Sequence, residues 1–236
     1  PESIINTINL TKKLKPDRIA FYSYAHVPWV KNIGQRGYSE DDLPSAEEKR
    51  ILYEIGKHLL TELGYEEIGM DHFALKTDSL YKSVDHKKLH RNFMGYTANK
   101  TQLMIGLGMS SISDSWYGFA QNIKSVEKYT ESVDQGIIPI FRGHKLSQED
   151  LIIRKHILNI MCHFETSWEH EQMKFPELEE CLERLKEMEQ DGLVIIGNNG
   201  LTMSENARPY VRNVCMAFDL QLTRNKPQTR IFSMTI

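Results

Sequence analysis

The sequence predicts an α/β protein whose second part is mainly helical and carries a β-hairpin. Two observations predict it. Helical apolar spacing alternates with short apolar runs rich in β-branched and aromatic residues over residues 1–113. From about Gln121 the pattern changes to mainly helices and ends in helix, hairpin, helix, with Asn198, Asn199 and Gly200 as the hairpin turn. Helices alternating with such strands read as βα units, which imply a parallel sheet with helices covering its outside. The change of pattern places a boundary near Gly143, dividing the chain into 1–143 and 144–236.

The elements follow in order. Residues 1–15 read as a helix, with Ser3 as a cap candidate, Ile4, Ile5, Ile8 and Leu14 apolar, and lysines at the cationic end before Pro16. Arg18 to Ala25 reads as a buried strand ending at a His-Val-Pro turn. A polar loop, Lys31 to Pro44, leads to Ser45, which caps a helix over Ala46 to Leu63. Glu48 completes a capping box, and Gly64 is the stop. Tyr65 to Met70 and Leu103 to Met109 read as strands. Then come a helix (Ile123 to Gln135), an extended run (Ile137 to Gly143), a helix (Ser147 to Cys162), a helix within Phe175 to Asp191, the hairpin (Leu193 to Met203) and a last helix (Ser204 to Leu222). The final helix, hairpin and helix form a winged-helix-like pattern.

Bulk properties exclude some classes. A net charge of −3 supplies no general attraction to nucleic acid or anionic membrane. No apolar run approaches the roughly 20 residues that a membrane-spanning helix needs. The three cysteines, Cys162, Cys181 and Cys215, are widely spaced and odd in number, which suggests no disulfide framework and fits a reducing, cytoplasmic compartment. The start at Pro1, without an initiator Met and already in a helix, reads as a piece of a longer protein.

The stretch Gly69 to Ser113 concentrates the chemistry. Between two strand-like runs it carries Asp71, His72, His90, Arg91 and Asn92 with several aromatics, and a long loop so dense in ionisable groups reads as functional. Ligands in βα folds bind at the carboxyl ends of strands. Tyr24-Ala25-His26, Asp71-His72 and Gly108 to Ser113 all sit at such ends.

Other motifs are weaker. His86 and His90, with His72 upstream, permit a zinc site on spacing alone, but no HExxH and no companion cysteine support one. His86, beside Asp85, Lys87 and Lys88, reads as a solvated loop residue. GLGMSSIS lacks GxGxxG; Gly106 and Gly108 suit the close approach of a ligand or another backbone, or a simple strand kink. Cys162 beside His163, and Cys215 near Asp219, lie in apolar helical contexts and read as buried thiols. Residues 204–236 hold five Arg or Lys against Glu205 and Asp219, while Glu177 to Asp191 holds seven acids that would repel phosphate.

The segments PDRIAFYSYAHVPW, IGMDHFAL, LHRNFMGYT, GLGMSSIS, DGLV and VRNVCMAFD together resemble the oxygen-independent coproporphyrinogen III oxidase (coproporphyrinogen dehydrogenase) family, radical S-adenosylmethionine enzymes of haem biosynthesis. The resemblance runs nearly end to end. It implies the back part of an incomplete radical-SAM (β/α) barrel over 1–143, followed by a mainly helical C-terminal domain over 144–236. It also implies a 4Fe–4S cluster, S-adenosylmethionine, and oxidative decarboxylation of two propionates of coproporphyrinogen III to vinyls, giving protoporphyrinogen IX with an external electron acceptor. The family's CxxxCxxC cluster motif is absent here, so the cluster ligands and the missing N-terminal half are expected outside this chain, which alone is expected to be inactive.

Carried over by position, Ala25 and Ile112 match residues that contact S-adenosylmethionine. Met94 stands where the family has a Gln that touches a second S-adenosylmethionine, and a thioether cannot replace both the donor and the acceptor of an amide. His72, His90 and Arg91 are candidates for substrate carboxylates from their chemistry, Arg91 because a guanidinium grips a carboxylate bidentately. No residue receives a catalytic role and no metal ligand is assigned. Two other readings stay open: a haem-binding or trafficking relative on the same scaffold, and a winged-helix nucleic-acid-binding module.

Overall fold

The computed structural model describes residues 1–27, 37 and 39–225. The Pro28 end of the predicted turn, nearly all of the loop from Lys31 to Tyr38, and Lys226 and Arg230 of the basic tail lie outside the described residues.

Helix α1 (Glu2–Leu14) ends at Lys15, whose left-handed backbone turns the chain. Strand β1 (Arg18–Ala20) follows, then α2 (Ala46–Glu62), where Ser45 and Glu48 form the expected reciprocal capping box. Next come β2 (Tyr65–Gly69), β3 (His72–Leu75), α3 (Ser79–Asp85), β4 (His90–Asn92), β5 (Gly95–Thr97), β6 (Leu103–Met104), β7 (Ile112–Ser115) and β8 (Gly118–Asn122). Helix α4 (Val126–Asp134) and strand β9 (Ile140–Lys145) precede α5 (Gln148–His163), which a second capping box, Ser147 with Asp150, begins. The rest is β10 (Glu165–Ser167), α6 (Leu178–Glu183), α7 (Lys186–Gln190), β11 (Val194–Gly197), β12 (Gly200–Met203), α8 (Val211–Ala217) and α9 (Leu220–Arg224).

The sheets correct the parallel expectation. Among the described residues every strand pairing is antiparallel, in sheets ordered β1-β3-β2, β4-β5, β6-β7-β8-β9 and β10-β12-β11. The cause is local. Two residues join β2 to β3, β4 to β5, β7 to β8 and β11 to β12, and so short a connection can only reverse the chain. Part of the βα reading survives: β1 and β2 both run against β3, so they run the same way as each other, and α2 connects them. The chain has mixed α/β content with no closed barrel among the described residues.

Other expectations are also revised. The stretch 69–113 is not a structureless loop, since it holds β3 to β6 and α3. Strand β1 stops at Ala20, which pairs with His72, the first residue of β3; one more bond, from Phe21 N–H to the Asp71 carbonyl at 2.7 Å, ends the pairing at the β2–β3 turn. The run predicted to Met109 is a strand only at Leu103–Met104. Residues 175–191 form two short helices rather than one. The predicted last helix is broken twice. Pro209 lies in a 3-10 segment (Glu205–Tyr210) before α8, and the Asp219 side chain accepts from Leu222 N–H to cap α9 as a separate helix.

The larger core draws Ile68, Ala74, Leu80, Leu89 and Tyr96 together with Ile160, Trp168, Leu185, Leu201, Val211 and Phe218. It therefore joins residues on both sides of position 143. A smaller cluster, Ile8, Leu60, Tyr65 and Phe73, packs α1 and α2 on the first sheet. In contrast, β9 is exposed along its whole length. No helix is long and apolar enough to cross a membrane among the described residues.

Candidate functional site

The tight hairpins and two helix faces enclose a cleft of about 840 Å³. Met70 and Asp71, the turn between β2 and β3, form one wall, and Arg91 to Phe93 at the end of β4 form the next. Asp114 and Phe119, paired across β7 and β8, form a third. From α5 come Arg154, Ile157, Leu158 and Met161, a single stripe at helical spacing. From α8 and the turn after it come Arg212, Cys215, Met216 and Asp219 at the same spacing.

Arg91 is the unsatisfied group in this cleft. Its guanidinium carbon lies 4.6 Å from the centre of the Tyr96 ring. Tyr96 is itself fixed, because its hydroxyl donates to the Met161 carbonyl at 2.8 Å. Yet the Arg91 guanidinium makes no hydrogen bond to any described residue, and its Nη1 is fully buried. A buried N–H without an acceptor costs roughly 1–3 kcal/mol, so the arrangement is held by the fold, and the accessible part of the half-buried side chain lines the cleft where an anion can reach it.

Arg154 has the opposite character. Its Nη2 donates to both oxygens of Asp114, at 2.8 and 3.0 Å, and its Nη1 donates to the carbonyls of Ser115 and Trp116. The guanidinium also packs against the rings of Trp116 and Phe119. Its donors are committed to the fold, so it shapes the cleft while Arg91 and the exposed Arg212 remain open to a ligand.

Asp71 and His72 form a pair, with His72 Nδ1 2.7 Å from Asp71 Oδ1. Burial raises the Asp71 carboxyl, but the bond and charge of His72 and the charge of Arg91 outweigh it and hold the group below its ordinary value. Asp71 is therefore a carboxylate at neutral pH, and Nδ1–H donates to it. The ring of His72 meets Tyr96 edge-on at 5.2 Å. Gly95, at φ +117°, leaves room for Nε2, since a Cβ there would lie 3.0 Å from it.

The predicted residues do not all converge. Arg91 and Asp71 line the cleft, and His72 bonds to Asp71 without lining it, but His90, one residue before Arg91 on β4, points to the opposite side and lines a separate cavity. Ala25 is exposed and Ile112 half-buried on β7, and neither lines this cleft. Met94 shares the β4–β5 turn with Phe93. Phe93 enters the cleft and meets Phe119 edge-on at 5.0 Å, while Met94 is 83% exposed. Gly106 does allow the close approach of another backbone, because a Cβ there would lie 2.8 Å from the Ile112 carbonyl. His86 is exposed.

Two features escaped the sequence. Arg154 with Asp114, forty residues apart, had no local signal. Arg212 could have been noticed through the shared spacing of 212, 215, 216 and 219.

The cysteines do not suit an iron–sulfur cluster. All three are free and buried. Burial pushes the thiols of Cys162 and Cys215 up to about 12, and burial likewise raises Cys181, which instead accepts from Arg184. Cluster ligation needs thiolates, so these residues do not fit that group. Among the described residues no group of three or more His, Cys, Asp or Glu side chains could hold a metal ion.

No protein-family model matches the chain. It is 38% identical over 239 aligned positions to the oxygen-independent coproporphyrinogen III oxidase of Synechocystis, covering 98% of this chain and 51% of that protein. The enzyme of the same name from Helicobacter pylori is 36% identical, over 94% of this chain and 49% of the relative. That from Escherichia coli K12 is 35% identical, over 100% and 52%. A solved structure of coproporphyrinogen III oxidase from Escherichia coli, described as a radical SAM enzyme, superimposes with a TM-score of 0.85 at 34% identity, over 94% of this chain and 52% of that one. The chain spans about half the length of each relative. It is thus a relative of the oxygen-independent coproporphyrinogen III oxidases, matched over nearly its whole length to the C-terminal half of that enzyme.

Proposed function

We propose that the chain is the C-terminal half of a cytoplasmic radical S-adenosylmethionine oxidoreductase that decarboxylates two propionates of coproporphyrinogen III to vinyls, giving protoporphyrinogen IX. The single observation that carries the site assignment is the Arg91 guanidinium, seated on Tyr96 in a roomy cleft without a hydrogen-bond partner among the described residues. A substrate rich in carboxylates supplies the missing acceptor, and a bidentate guanidinium–carboxylate pair is among the stronger polar contacts a protein can offer. Arg212 faces the same space and can take a second carboxylate. Met70, Phe93, Ile157 and Met216 offer apolar surface to the pyrrole macrocycle.

In this reading, residues 1–143 complete the barrel with a preceding half, and residues 144–236 form the helical domain that closes over it. The preceding half supplies the 4Fe–4S ligands. Ala25 and Ile112 contact S-adenosylmethionine, which supplies the hydrogen-abstracting radical once bound, and Met94 borders a second such site. Asp71 orients His72 through Nδ1, which directs Nε2 toward the β4–β5 turn. An external acceptor takes the remaining electron.

The test has two arms. The 236-residue chain, treated anaerobically with iron and sulfide, should gain no stoichiometric cysteine-dependent cluster; a cluster would overturn the assignment of its ligands to the preceding half. The longer protein should form protoporphyrinogen IX, and Arg91→Ala should raise KM for coproporphyrinogen III by ten-fold or more, as loss of one charge-assisted pair of about 1.5–3 kcal/mol predicts. An unchanged KM would remove Arg91 from the substrate site.

A further inference from the structure

Strand alternation and helix periodicity make a second site behind the first. Arg91 faces the large cleft, while His90 faces a cavity of about 340 Å³ on the other side of β4. Helix α5 turns one stripe to each: Arg154, Ile157 and Met161 to the cleft, and Lys155, Asn159 and Cys162 to the cavity, with Leu158 between them.

The cavity is strongly basic. Lys87, Lys88, Lys100, Lys155, His90 and His163 line it, and no carboxylate does, in a chain whose net charge is −3. Lys87 is paired with Glu165 at 2.9 Å. Among the described residues Lys88, Lys100 and Lys155 have no ion pair; the Lys100 ammonium instead rests 5.7 Å from the centre of the Trp116 ring. Like charges gathered in a concave wall repel one another and focus a positive potential on the space they enclose. His90 is 7% exposed and its imidazole makes no hydrogen bond to a described residue, leaving its ring N–H for a ligand. Burial first, then the charges of Lys100 and Arg154, hold its imidazole below its ordinary value against the pull of Asp114.

We propose that this cavity binds a compact multivalent oxyanion, of the diphosphate or small polycarboxylate class, at a site separate from the Arg91 cleft. The ligand's charge is met by three uncommitted ammonium groups, and His90 and the Asn159 amide provide short polar contacts at its floor. The size selects the class. The space lies at the small end for ligand cavities, well below the cleft that suits a macrocycle, and its concave, compact shape distinguishes it from the long basic stripe that a nucleic-acid backbone would follow. The site does not depend on what the larger cleft holds.

The experiment is calorimetric titration of the full chain with inorganic pyrophosphate and, separately, with citrate, at low ionic strength. Intrinsic tryptophan fluorescence, to which Trp116 in the cavity wall contributes, is followed in parallel. The expected result is saturable one-to-one binding of at least one of the two anions. Replacing Lys88, Lys100 and Lys155 together by Gln should weaken it by roughly ten-fold or more, since two or three charge-assisted contacts are lost, whereas Arg91→Ala should leave it within about two-fold. The lysines are at least partly exposed, so the variant should fold; circular dichroism verifies this, and Lys100→Gln alone replaces it if it does not. Failure of both anions to bind saturably, unchanged affinity in the lysine variant, or loss of binding in Arg91→Ala would each overturn the proposal.

Discussion

Arg154 on α5 holds both oxygens of Asp114 on β7 from one nitrogen, at 2.8 and 3.0 Å, and both side chains are largely buried. This pair joins the four-stranded sheet to the helix that separates the two cavities. Removing one partner strands a buried charge, which costs about 3–5 kcal/mol. Arg154→Met should therefore lower the urea-unfolding free energy by roughly 3 kcal/mol. Adding Asp114→Leu should restore much of that loss. A single variant as stable as the parent would show that the pair contributes nothing.

Arg91 predicts a different balance. Replacing it with Met removes a cation–π contact of about 0.5–2 kcal/mol and also an unsatisfied buried donor costing about 1–3 kcal/mol. Arg91→Met should thus leave thermal stability unchanged or raised, even as substrate binding in the longer protein weakens. A loss of more than about 2 kcal/mol would mean that Arg91 is a structural group rather than a binding one.

Stability should fall in acid in two stages. His156 is fully buried, with Nε2 2.8 Å from the Met173 carbonyl and Nδ1 2.8 Å from the Thr166 hydroxyl. Burial, outweighing the carbonyl, holds its imidazole below the ordinary value, and burial acts first in the same direction on His90 and His163. The unfolded chain then binds these protons more readily. Their contribution is complete above about pH 6.5 and is lost as pH falls through that value toward the folded pKa. Asp78 and Asp150 are depressed despite burial, by their bonds to Leu80 and Arg18 and to Ser147, so they add a second loss below about pH 4. Urea midpoints measured from neutral pH downward should show both steps, and His156→Gln should flatten the first. A midpoint constant across the first range would contradict the histidine assignment.

The cysteines offer a simple check of burial. With Cys162 and Cys215 pushed up to about 12, neither thiol is ionised near neutral pH. Dithionitrobenzoate should label none of the three quickly in the folded protein and all three in denaturant. Rapid native labelling of Cys162 or Cys215 would show that the wall they form opens.

Much of the architecture was legible from local chemistry. Ser45 with Glu48, and the Asn198-Asn199-Gly200 turn, marked a helix start and a hairpin that form where expected, because capping and tight turns are satisfied within a few residues. The motif segments pointed to the family for a related reason, since each is a contiguous string that can be read without the fold. Sheet direction was not legible. The turns at Met70-Asp71, Phe93-Met94 and Trp116-Tyr117 lack the Asn-Gly or Asp-Gly signature, so strands joined by hairpins passed for strands joined by helices.

The sequence by itself determined the inventory of the site: a histidine, an arginine and an aromatic strung along His90 to Phe93, and lysines scattered over residues 87 to 155. Only the tertiary structure decided their allegiance. Strand pleating sends neighbouring His90 and Arg91 to opposite faces, and α5 closes against both. One guanidinium is thereby consumed by Asp114 and another is left without an acceptor. That outcome depends on pairings forty or more residues apart, which no local pattern of residues encodes.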